Sequence, residues 1–122
     1  MLNVINRLTK KQDIQFVFKK GRWQDAPFLT IKFLASQGPA PHHAAQDPAS
    51  RFCFSVSNKV SKLATKRNLI KRRLRHIIRE LLPQIKGGYD MVVIVKPEII
   101  KASYQEIKQM LEQVMRRAGL II

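Results

Sequence analysis

Seven of the fourteen residues from Lys66 to Arg79 (KRNLIKRRLRHIIR) are Lys or Arg, and none is Asp or Glu. Ammonium and guanidinium groups at that density do one kind of chemistry well: they hold phosphate oxygens by charge-assisted hydrogen bonds. Bond cleavage asks for other groups. A protein nuclease needs clustered carboxylates around a metal, or a His pair for acid–base work. The eight acids stand singly, as Asp13, Asp25, Asp47, Glu80, Asp90, Glu98, Glu106 and Glu112. Asp90 reads as a turn or cap residue. His42 and His43 are adjacent in a Pro- and Ala-rich stretch with no third ligand in sight. Cys53 is the single cysteine, which excludes an internal disulfide and suits a reducing cytoplasm. It reads as a small packed thiol. The expectation is a chain with no catalytic residue and no metal site of its own.

The cations need an element that turns them one way. At 100° per residue, Leu74, Ile77, Ile78 and Leu81 fall on the same side as Ile70, the stripe of a helix packed on a core. Asn68, Lys71, Arg72, Arg75 and Arg79 fall opposite. Such a face repels itself unless an external polyanion neutralises it. An ordinary solvated helix mixes acids with bases, and this one has none before Glu80. Lys66 extends the same surface, and Lys59 and Lys62 precede it in the lead-in.

The remaining chain predicts one folded domain over residues 1–122. The net charge is +15, from 23 Lys and Arg against 8 Asp and Glu, while 45% of residues are hydrophobic. That much apolar content excludes a disordered basic tail. No run is long or apolar enough for a membrane span, and no signal-peptide core opens the sequence. A first helix is expected from Thr9 to Gly21, with Thr9 and Gln12 as a capping box and Ile14, Val17 and Phe18 as its stripe. Phe16 points elsewhere. Alternation predicts strands at Phe28–Ala35 and Arg51–Ser57, separated by a mobile 36–50 loop. Phe28, Thr30 and Lys32 share one side of the first strand; Arg51, Cys53, Ser55 and Ser57 share one side of the second. Trp23 is expected to pack across the sheet edge. After the basic helix, which ends before Pro83, Met91–Val95 reads as a mid-sheet strand. A last helix follows from the Ser103–Glu106 capping box to Gly119. The order is α-β-β-α-β-α.

RFCFSVSNKV, KRNLIKRRLR and YDMVVIVKP, in that order, resemble the bacterial ribonuclease P protein component, with the closing SYQEIKQMLEQVMRRAGL in agreement. The similarity covers nearly the whole chain except residues 36–50. It implies an α+β sandwich with a left-handed βαβ crossover. It also implies a non-catalytic partner of a large catalytic RNA that removes the 5′ leader from precursor tRNA in the cytoplasm. Mg²⁺ would be required by the assembly and held mainly by RNA, with no membrane and no obligate protein partner. The family's Arg-Asn-Arg signature, followed by Lys-Arg, maps onto Arg67, Asn68, Lys71, Arg72 and Arg75 as RNA contacts. The leader cleft carried over by position comprises Phe18, Phe28, Lys32, Arg51, Ser55 and Ser57.

This chain departs from the pattern at Leu69, where the third signature residue is usually Arg, and at Ile14, where an aromatic is usual. A residue is also added between Val60 and Arg67. Two rival readings use the same helix: a ribosomal or duplex-DNA binder laying it in a groove, and a membrane-surface anchor. The second wants Trp or Phe at the polar–apolar boundary, where this helix has neither.

Overall fold

The computed structural model describes residues 4–35 and 49–121. His42, His43, Asp47 and most of the expected loop lie outside the described residues. Helix α1 runs Lys11–Lys20, α2 Ala64–Leu81 and α3 Tyr104–Arg117; strands β1 Arg22–Asp25, β2 Leu29–Ala35, β3 Arg51–Ser55 and β4 Tyr89–Val95 form one sheet. The strand order is β1-β2-β4-β3. β1–β2 and β2–β4 pair antiparallel, while β3 pairs parallel with β4 and α2 makes the crossover between them. The result is the expected α+β sandwich.

Alternation divides the sheet into two faces. Leu29, Ile31, Phe33, Phe52, Phe54, Met91, Val93 and Val95 face α2 and α3 in the main core, where Leu74, Ile77, Ile78, Leu111, Val114 and Met115 are buried. Removing a Leu or Ile side chain from water is worth about 1.5–3 kcal/mol, so the α2 stripe alone fixes which way its cations point. The opposite face is smaller. There Val92 packs with Val17 of α1 and Leu8, flanked by Ile14, Leu34, Cys53 and Ile94. β4 is covered on both faces, which explains its uninterrupted apolar run.

Several sequence expectations change. β1 is an added strand: RWQD shows no apolar alternation and is largely exposed, so only its pairing with β2 reveals it. The Thr9 capping box does not form, because the chain before α1 stays extended along β3. Arg7 bridges Phe52, Leu8 N–H donates to Phe52 O at 2.9 Å, and the helix begins only after Lys10. Ser50 is anchored rather than mobile; its Oγ donates to Lys86 O at 2.6 Å and accepts from Tyr89 N–H at 3.1 Å. Asp90 is buried within β4 instead of capping a turn. The Ser103–Glu106 box forms in both directions, and α3 ends where Gly119 takes a φ of 78°.

Candidate RNA interface

The exposed side of α2 carries four Lys and Arg side chains against the single acid Glu80. Asn68, Arg72 and Arg79 are exposed, as are Lys66 and Arg73 on the adjoining flank, and Lys59 and Lys62 in the lead-in. Helix entry adds to the effect. The N-cap position, Leu63, offers no side-chain acceptor and the first turn has no acid, so the positive helix end lies beside Lys66 and Arg67, whose own N–H groups donate to Leu63 O. Arg67 itself is half-buried, its Nη1 donating to Ser61 O at 2.9 Å. Glu80, the acid that ends the basic run, lies 3.8 Å from His76 and is engaged by α3. It accepts hydrogen bonds from Tyr104 Oη and, at 3.2 Å, from Lys108 Nζ. Those bonds hold its carboxyl below the usual range, Tyr104 contributing most.

Lys71 and Arg75 are only half-exposed because they lean over a recess of about 290 Å³ between α2, β3 and the segment before α1. Arg7, Leu8, Ile14 and Cys53 also line it. Arg7 was not a sequence candidate. It is far from the basic helix in the chain, and only the pairing with β3 carries it there. Burial pushes the Cys53 thiol up, while Lys71 and Arg75 pull the other way, in keeping with a protonated, packed group. On the other flank of α2, Leu69 lines a mainly apolar recess with Ile70, Ile99, Ile100 and Ile107. The departure from the signature therefore leaves an aliphatic wall where a cation is usual.

The expected leader-cleft residues do not all meet. Across the α1 side of the sheet, one register row reads Trp23, Lys32, Val92, Cys53 and the next Asp25, Thr30, Ile94, Ser55. Phe18 and Lys32 are together, with Lys32 Nζ 5.0 Å from the Phe18 ring centroid, a cation–π contact. Ser55 shares that face, half-buried. Arg51 is engaged internally. Nε and Nη2 donate to both Asp90 oxygens at 2.8 and 2.7 Å, and Nη1 reaches Asp13 of α1 at 3.5 Å. The Asp90 bonds, chiefly, hold the guanidinium above its already high ordinary pKa. Phe28 precedes β2 and packs against the main core, its N–H donating to Met110 Sδ of α3 at 3.3 Å. The alternation that paired it with Lys32 stops one residue short, since β2 begins at Leu29. Ser57 lies beyond β3, where its Oγ accepts from Lys59 N–H at 3.3 Å. Trp23, expected to pack, is 64% exposed.

Among the described residues, no group of three or more His, Cys, Asp or Glu is placed to hold a metal ion. Asp13 and Asp90 do converge, but on Arg51, whose charge opposes a cation there. No helix among the described residues is long and apolar enough to cross a membrane.

The family model for Ribonuclease P matches residues 2–119. The chain belongs to that family. It is 38% identical over 117 residues to the ribonuclease P protein component of Microcystis aeruginosa, covering 96% of this chain and 93% of the relative. The corresponding Synechocystis protein is 39% identical over 115 residues, covering 94% and 86%. Among solved structures, the Staphylococcus aureus RNase P protein superposes with a TM-score of 0.79 at 25% identity, covering 96% of this chain and 98% of that one. The Thermotoga maritima RNase P protein gives 0.76 at 25% identity, covering 91% and 96%. Family membership carries a role in tRNA processing as the protein part of a ribonucleoprotein.

Proposed function

We propose that this chain is the RNA-binding accessory subunit of ribonuclease P. The cationic arc of α2, with Lys59, Lys62, Lys66, Arg67, Asn68, Lys71, Arg72, Arg75 and Arg79, docks on the catalytic RNA. The α1 side of the sheet, centred on Phe18 and Lys32, holds the single-stranded 5′ leader of precursor tRNA. The RNA performs the cleavage and binds the Mg²⁺ it uses. The protein's fixed cations take over part of the charge neutralisation that bound ions would otherwise supply.

One observation carries this reading. α2 buries Leu74, Ile77, Ile78 and Leu81 against the core, with Ile70 half-buried beside them, while its exposed side carries, among the described residues, no acid but the hydrogen-bonded Glu80. Unpaired nucleotides, in turn, are held by aromatic faces beside cations, which is what Phe18 and Lys32 present. The decisive experiment is single-turnover cleavage of a 5′-extended precursor tRNA at low Mg²⁺ by a bacterial ribonuclease P RNA, with and without this protein. Cleavage only when both are present is expected. Tight RNA binding without rescue would leave a generic basic RNA binder. Cleavage by the protein alone would overturn the division of labour.

A further inference from the structure

Trp23 has no part in the core, and among the described residues neither a ring nor a cation packs on its indole. Its position is specific. In the antiparallel ladder Trp23 stands directly opposite Lys32, and residues so paired project from the same face. Lys32 reaches the Phe18 ring on the α1 side, so Trp23 lies on the α1 side as well. Its neighbour Arg22 goes the other way, with its guanidinium carbon 5.6 Å from the Phe33 ring centroid. α1 packs over the central strands β2 and β4, and β1 continues the same surface outward as an edge strand. An exposed Trp on a sheet edge invites self-association, so a ligand that covers it is a better account of it than packing.

The Phe18 ring is partly occupied by Lys32 in the free protein, whereas the indole is open. Phe18, Lys32 and Trp23 thus make an aromatic–cation–aromatic series, with Trp23 one strand spacing, about 4.8 Å, beyond β2. We infer that Trp23 is a second stacking position for single-stranded RNA. A leader leaving the Phe18–Lys32 site crosses the β2–β1 edge and lays a base on the indole. Stacking tolerates any base, so the position adds affinity according to leader length and not leader sequence. This inference rests on the leader-binding reading above and extends it to an edge strand outside the α1 cleft.

Trp23 is the single tryptophan of the chain, so its emission reports the site without a label. The test uses the holoenzyme reconstituted with a bacterial ribonuclease P RNA and precursor tRNAs carrying 5′ leaders of increasing length. Indole emission should be quenched only once the leader passes a threshold length. Trp23→Ala should weaken binding of long-leader precursors by about fivefold to a hundredfold while leaving short-leader precursors unchanged. Trp23→Phe should restore part of the loss. Two results would overturn the inference: unchanged emission when a long leader binds, or equal weakening of long and short leaders in Trp23→Ala. If the wild-type holoenzyme gains no affinity from any leader, the leader-binding reading itself fails. Leader-dependent affinity that bypasses the indole would remove Trp23 alone.

Discussion

An Arg51→Ala change strands the Asp90 carboxylate, which is only 6% exposed, without its bidentate partner. Removing one member of a buried ion pair costs about 3–5 kcal/mol; Arg51 keeps some contact with water, so about 3 kcal/mol is expected. Urea unfolding measures it, and Asp90→Asn in the same chain should recover part of the loss. Unchanged stability with a loss of leader affinity would return Arg51 to the ligand. Arg72 has the opposite profile, exposed on α2 and, among the described residues, in no ion pair with an acid. Arg72→Ala should leave the melting temperature unchanged and reduce the salt slope of RNA binding by about one. Gly21 is required for space. Its φ of −72° suits any residue, but an added Cβ would lie 2.4 Å from Val17 O and 3.0 Å from Phe33 O. Gly21→Ala should therefore shift the α1–β1 junction and lower the melting temperature, read by calorimetry.

Helices α2 and α3 are pinned by Glu80, Tyr104 and Lys108. Burial, then the bond to Glu80, pushes the Tyr104 phenol up to about 12 from its ordinary 10. The folded-state value is the higher one, so this bond supports the fold fully below about pH 10 and is lost as pH rises toward 12. An unfolding series across that window should show a stability decline that Tyr104→Phe flattens. The pin also keeps the Glu80 charge off the cationic arc. Tyr104→Phe removes one of the two α3 donors to Glu80, leaving Lys108, and a small decrease in RNA affinity below pH 10 should accompany the change.

At the scale of the whole molecule, a charge of +15 makes association with RNA strongly salt-dependent. If six to ten phosphates are neutralised, affinity for the ribonuclease P RNA should fall by about 10³–10⁵ between 50 and 200 mM salt. A slope near zero in a filter-binding series would contradict the role given to α2. The two surfaces lie on different parts of one frame. Recesses flank α2, one lined by Arg7, Lys71 and Arg75 and the other by Leu69 and Ile100, while Phe18, Lys32 and Trp23 lie on the α1 side of the sheet. On the proposed reading, such a frame would let one RNA dock on the helix while a single strand follows the sheet.

Period and charge by themselves determined α2. The stripe of Ile70, Leu74, Ile77, Ile78 and Leu81 and the cations opposite are consequences of helix geometry, which is local. The continuous apolar run of β4 likewise foretold its central place, and Ser103 with Glu106 its helix start. Only the tertiary structure decided matters that depend on pairing between distant segments. It drew Arg51 into Asp90 and Asp13, carried Arg7 into the recess beside Lys71, and kept Thr9 out of a cap by tying Leu8 to Phe52. It set Phe28 against the core by starting β2 one residue later, and it made a strand of RWQD, setting Trp23 opposite Lys32. None of these leaves a periodic trace, because each is fixed by strand register and by which charges meet across the sheet.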